Sequence, residues 1–168
     1  VGKKKILEGL KMDDNTLFNV EDGKMFLTWK AVDFGLQKIV HEAKLFKRVV
    51  GIERGGLILA LMLSEVLDIP WGTYNPKMRS ASLKSRPDGS LDDVLLIDDI
   101  QDSGKTLKMF REDCPGIKNI AVLVQRETCK DDSVVVGLKA NHDRWIVFPW
   151  EVGLGRVKGE GKDYEKRL

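Results

Sequence analysis

The run Val94-Leu95-Leu96-Ile97-Asp98-Asp99-Ile100-Gln101-Asp102-Ser103-Gly104-Lys105-Thr106 concentrates the chemistry of this chain. Four apolar residues lead into two adjacent carboxylates. Asp102 follows shortly after, and a Ser-Gly-Lys-Thr turn comes next. The apolar part reads as a buried strand, and in open α/β sheets ligands bind beyond the carboxyl ends of strands. Ser103, Gly104, Lys105 and Thr106 offer backbone N–H groups, two hydroxyls and the positive end of a helix that begins at Lys105. Together these make a phosphate cradle. Asp98 and Asp99 suit sugar hydroxyls, which donate hydrogen bonds, and a divalent cation. Asp-Asp pairs also occur at 13–14, 92–93 and 131–132 and read as solvated. The turn superficially matches a Walker A loop, but that motif needs a glycine where Asp99 stands.

A second group follows another apolar strand, Val49 to Ile52. There Arg54 can grip an anion while Gly55 and Gly56 let the backbone approach it closely. Residues 75–93 lack hydrophobic periodicity and carry Lys77, Arg79, Lys84 and Arg86 before the first acid, Asp88. A stretch of this length inside a compact domain is functional or disordered. Only two cysteines occur, Cys114 and Cys129, which excludes a disulfide scaffold and favours a cytoplasmic setting. His41 and His142 form no zinc-type spacing with them.

These groups need rigid elements to position them. Val32, Leu36, Ile39, Val40, Ala43 and Phe46 recur at helical spacing behind Thr28, a helix N-cap. Leu57 to Leu67 is apolar on nearly all sides and reads as a buried helix. Further strands are expected at 71–74, 120–124 and 134–136. Strands alternating with helices predict an α/β domain with a mainly parallel sheet flanked by helices. A length of 168 residues fits one domain. Residues 1–25 read as a loose polar arm and 155–168 as a charged tail. The 28 basic and 26 acidic side chains nearly cancel, so no broad basic face for nucleic acid is expected. The longest strongly apolar run, Leu57 to Leu63, is too short to span a bilayer. Lys3-Lys4-Lys5 is followed by no apolar signal core.

The segment 94–106 resembles the phosphoribosyl-pyrophosphate (PRPP) motif of type I phosphoribosyltransferases, and Val49 to Leu57 resembles their pyrophosphate loop. Trp145-Ile146-Val147-Phe148-Pro149-Trp150-Glu151 is similar to the Trp-Ile-x-x-Pro-Trp-Asp block of the bacterial xanthine-guanine subfamily, as is Thr28-Trp29. The resemblance covers residues 26–154. It implies a parallel-sheet core, a lid at about 75–91 and a small base-binding hood at 145–154. The implied reaction is purine salvage: transfer of phosphoribose from PRPP to a 6-oxopurine, with Mg²⁺ as cofactor. By that resemblance Asp98 and Asp99 hold the ribose hydroxyls and, directly or through water, the metal. Asp102 is the general base, and residues 103–106 cradle the 5′-phosphate. Arg54, Gly55 and Gly56 bind pyrophosphate, with a non-proline cis peptide often found at this loop. Glu53 replaces a serine and is expected to turn away from the anion. Trp145 stacks on the purine, and Ile146 offers backbone contacts. Arg126 donates to the exocyclic oxygen, or Gln125 does if the alignment slips by one residue. The resemblance also implies a homo-oligomer. Two other readings keep the same fold: a non-catalytic sensor of PRPP or nucleotide, and a transferase for another base.

Overall fold

The computed structural model describes residues 17–83, 89–129 and 131–152. The chain divides into two compact units. The larger runs from Phe34 to Asp143, and the smaller is built from the chain before and after it.

The larger unit is organised on a six-stranded sheet of order β5-β4-β3-β6-β7-β8. Its strands are β3 (Arg48–Ile52), β4 (Trp71–Asn75), β5 (Ser80–Ser82), β6 (Val94–Gln101), β7 (Asn119–Arg126) and β8 (Val134–Ala140). All neighbours pair in parallel except β4 with β5. The α/β, mainly parallel reading therefore holds. The central strands are apolar because both faces are covered: every residue of β3 and β7 is buried. Helix α1 (Trp29–Glu42) begins at Thr28, whose Oγ1 accepts the Ala31 N–H at 3.2 Å. It ends before Ala43 and Phe46, so the expected helical spacing overran it by one turn. Two glycines bring α1 close to the sheet. A Cβ on Gly35 would collide with Leu123, and one on Gly137 would lie 2.8 Å from the Leu123 carbonyl and 3.0 Å from that of Gly35.

Helix α2 (Gly55–Leu67) buries Gly56, Leu59, Ala60 and Leu63. Leu61 and Val66 are exposed, at 44% and 80%. The expectation of a helix buried all round is thus corrected: only one stripe meets the sheet. Helix α3 (Lys105–Asp113) packs Leu107 and Phe110 into a cluster with Val50, Tyr74, Leu96 and Val122.

Residues 75–82 are not a structureless loop. Ser80–Ser82 adds an antiparallel edge strand to β4, held by backbone pairing that needs no apolar alternation. Lys84 and Arg86 of the expected lid, residues 1–16 of the expected arm and residues 155–168 of the expected tail lie outside the described residues. The end of that arm is ordered. In the smaller unit β1 (Phe18–Glu21) and β2 (Lys24–Leu27) form a hairpin turning at Asp22 and Gly23, both at positive φ. β9 (Ile146–Val147) joins β2 in parallel, and Pro149–Glu151 forms a 3₁₀ turn. Strand alternation over four residues, with Met25 and Leu27 buried, is too short a signal to stand out.

Candidate active site

β3, β6 and β7 are adjacent and parallel, so their carboxyl ends share one edge of the sheet. Arg54, Gly55 and Gly56 follow β3. Asp98 and Asp99 lie in the second half of β6, with Asp102 to Thr106 just beyond it, and Arg126 closes β7. The structure therefore gathers every expected site residue of the larger unit at one edge.

The groups after β3 and at the end of β6 are in contact. A Cβ on Gly55 would land on the Asp99 carboxylate, and one on Gly56 would strike the Ile97 carbonyl and lie 3.1 Å from Asp98 Cα. The glycines are needed because α2 starts directly against the carboxylate strand. The Glu53–Arg54 peptide is cis. Glu53 accepts a hydrogen bond from Asn75 Nδ2 at 2.5 Å. Arg54 is exposed and, among the described residues, has no ion-pair partner.

Asp98 is buried at 7% exposure. Its Oδ1 accepts the Asp99 N–H at 2.9 Å, and Asp99 Oδ1 accepts that of Ile100 at 2.8 Å. Burial, and then the neighbouring Asp99 carboxylate, hold the Asp98 carboxyl well above the usual carboxylate range. A cation or a set of hydroxyl donors would relieve that pair. Among the described residues no three His, Cys, Asp or Glu side chains form a metal cage. Two carboxylates suit Mg²⁺, which keeps waters and takes substrate oxygens rather than a full protein shell.

Gly104 has φ +73 and caps α3, its carbonyl accepting the Lys108 N–H at 3.0 Å. Ser103 and Lys105 are exposed, while Gly104 and Thr106 are half-buried. The turn thus faces outward with the positive end of α3 behind it.

Gln125 and Arg126 have separate surroundings. Gln125 is buried and donates to Gln101 Oε1 at 2.9 Å and to the Asp131 carbonyl at 3.3 Å. Arg126 donates from Nε to Asp102 Oδ1 at 3.1 Å and from Nη1 to the His142 carbonyl at 2.6 Å. Gln125 ties the strand ends together, while Arg126 meets the Asp102 carboxylate on the turn after β6. Of the expected lid cations, Arg79 is committed elsewhere. It pairs with Asp113 at 2.5 Å and Glu112 at 3.3 Å. The Arg79 bonds, and then that from Tyr74, hold the Asp113 carboxyl below its ordinary range. Charge alone could not distinguish this latch from a substrate ligand.

Fold and site order match a known architecture. No protein-family model matches the chain. It is 29% identical over 124 residues to the xanthine-guanine phosphoribosyltransferase of Cereibacter sphaeroides, covering 67% of this chain and 74% of that one. The enzyme of the same name from Vibrio parahaemolyticus is 27% identical over 143 residues, covering 78% and 91%. The purine phosphoribosyltransferase of Pyrococcus horikoshii superposes with a TM-score of 0.58 at 28% identity, covering 77% and 95%. The chain has the type I phosphoribosyltransferase fold. The comparisons set it among the phosphoribosyltransferases, enzymes of pentosyl transfer. The xanthine-guanine-hypoxanthine enzyme of Helicobacter pylori shares the fold at TM-score 0.57 and 22% identity, covering 84% and 97%. So does the adenine enzyme of Giardia lamblia at 0.53 and 21%, covering 68% and 82%.

The smaller unit of this phosphoribosyltransferase fold carries Trp145 and Ile146. Trp145 is 69% exposed, and its carbonyl accepts the Met25 N–H at 2.8 Å. Its indole is therefore not core. Ile146 is buried. Trp150 stacks on Phe148 with centroids 4.8 Å apart and tilts against Trp29 at 6.0 Å. This aromatic group explains the Thr28-Trp29 and Pro149-Trp150 matches as packing within the unit. No helix among the described residues is long and apolar enough to cross a membrane.

Proposed function

We propose that the protein transfers phosphoribose from PRPP to a 6-oxopurine base, releasing nucleoside monophosphate and pyrophosphate. The observation that carries this reading is the single sheet edge where Arg54-Gly55-Gly56 meets Asp99 and where the 102–106 turn and Arg126 also lie. Residues 103–106 hold the 5′-phosphate. Asp98 and Asp99 accept from the ribose hydroxyls, and Arg54 with the Gly55-Gly56 backbone grips the pyrophosphate. Asp98 and Asp99 would also hold Mg²⁺, directly or through water; when bound, it neutralises charge on the departing pyrophosphate.

As N9 of the base bonds to C1′, the C1′–O bond breaks and its electron pair leaves on pyrophosphate. Asp102 takes the proton from N7. Such general-base help is worth roughly 10²–10⁴-fold. The remaining work is positioning and charge stabilisation. Trp145 offers the purine a flat face, and Arg126 a donor for the 6-oxygen. Adenine presents a 6-amino donor to that donor, which disfavours it. The hydrogen bonds of Gln125 to Gln101 and Asp131 support the choice of Arg126 over its neighbour.

The test is incubation with PRPP, Mg²⁺ and a panel of purine and pyrimidine bases, following nucleotide formation. Turnover of guanine, hypoxanthine or xanthine is expected. Adenine or a pyrimidine as the preferred base overturns the 6-oxopurine reading. PRPP binding with no turnover of any base would favour a sensor.

A further inference from the structure

Arg126 and Asp102 differ sharply in freedom. The Arg126 side chain is 11% exposed, whereas that of Asp102 is 71% exposed on a turn. The guanidinium is held on one side by the His142 carbonyl at 2.6 Å. From there its Nε reaches out to Asp102 Oδ1 at 3.1 Å. A guanidinium is a flat, rigid fork, so the buried end dictates where the other donor points. An anchored cation therefore orients an otherwise exposed carboxylate.

We infer that Arg126 is a positioning residue for Asp102 and that the two act as one unit in proton removal from the base. This rests on the purine transferase reading and adds to it. A general base must sit within hydrogen-bond reach of the proton it takes. A solvated turn carboxylate samples many orientations. With Oδ1 held by Arg126, the other oxygen stays directed and accepts the N7 proton as N9 bonds to C1′ and pyrophosphate leaves with the C1′–O electron pair. The acid so formed remains beside Arg126 until its proton passes to solvent. Lysine would not serve equally: its ammonium is a point charge on a flexible stem whose donors are not pre-organised.

A double-mutant cycle tests this with Asp102→Asn, Arg126→Lys and the double variant, on whichever base of the panel reacts. Arg126→Lys is expected to lower kcat by about tenfold, with KM for the base changed by less than about threefold, because the ammonium still offers the 6-oxygen a donor but no longer fixes the orientation of the general base. PRPP affinity stays unchanged. In the Asp102→Asn background the same lysine changes kcat by less than about twofold, because the residue it positions no longer acts. Losses that multiply across the cycle overturn the unit, as does a loss confined to KM for the base. Since Arg126 is buried, thermal melts accompany each variant. Should lysine fail to fold, Arg126→Gln takes its place in the same cycle, keeping an N–H for the His142 carbonyl. Preference for a base other than a 6-oxopurine overturns the substrate reading but leaves the cycle interpretable. Turnover of no base at all overturns both.

Discussion

Gly55→Ala tests whether the pyrophosphate loop and the carboxylate strand are built around each other. The added methyl falls on the Asp99 carboxylate and comes within 2.9 Å of its Cβ. β6 is pinned between β3 and β7, so the backbone of Asp99 has little room to yield. The carboxylate must swing instead, which breaks its 2.8 Å bond to the Ile100 N–H. Overpacking of this kind costs about 1–3 kcal/mol. At this chain size each kcal/mol lowers Tm by roughly 2–4 °C. If Asp99 holds a ribose hydroxyl, losing one hydrogen bond to a charged acceptor costs a further ~1.5–3 kcal/mol of binding. PRPP affinity should then fall by roughly 10–150-fold. Calorimetry with PRPP and Mg²⁺ reads the binding, and thermal denaturation reads the crowding. The double variant Gly55→Ala/Asp99→Ala separates them: removing the carboxylate should restore Tm toward the parent but leave PRPP affinity low. Undiminished PRPP affinity in Gly55→Ala, or no recovery of Tm in the double variant, refutes the reasoning.

Trp145→Ala should raise KM for all purines together, since stacking does not read ring substituents. Because the indole is 69% exposed, stability should stay within about 0.5 kcal/mol by denaturant titration; a large loss of stability would make Trp145 structural. Arg48, 6% exposed, holds Asp93 at 2.5 Å and the Ser90 carbonyl where the chain enters β6. Asp93→Ala should cost about 1.5–3 kcal/mol by removing the hydrogen bonds that the Arg48 Nε and Nη2 donate to that carboxylate, and an unchanged denaturation midpoint would rule the pair out as a support. Burial and the hydrogen bond to Asp113 push the Tyr74 hydroxyl up to about 12. The native state then keeps a proton that an unfolded tyrosine loses near pH 10. Stability is therefore intact below about pH 10 and falls as pH rises toward 12. Tyr74→Phe should flatten that limb of the Tm–pH curve, and an equal slope in both proteins would show that Tyr74 does not titrate there.

The parallel core was legible because its strands are buried on both faces and read as apolar runs: Val49 to Ile52, Val94 to Ile97 and Ile120 to Val124. The acids at the end of β6 were legible for the same reason, since carboxylates directly after such a run stand at the ligand edge of the sheet. What escaped were elements made by the backbone alone. Ser80–Ser82 pairs at the sheet edge with all three residues exposed, and the β1–β2 hairpin buries too little to show a pattern. The length of β8 was also missed, because Gly137 and Lys139 interrupt its apolar character although its register with β7 continues to Ala140.

The choice between Gln125 and Arg126 shows where sequence reasoning stops. Both side chains can donate to a carbonyl oxygen, and motif counting from Trp145 tolerates a slip of one residue. Successive residues of a strand point to opposite faces, so that slip exchanges a side chain on one face of β7 for one on the other. Their partners support Arg126. Gln125 meets Gln101 and Asp131, groups that join β6 to the turn after β7. Arg126 meets Asp102. A buried amide with its donors satisfied by protein has little to offer a ligand, because turning toward one would strand the Gln101 amide oxygen in the interior. Gln125→Ala should therefore lower stability by about 1–3 kcal/mol and leave the ranking of bases unchanged in the nucleotide-formation assay. A change in base preference without a change in stability would return the reading role to Gln125.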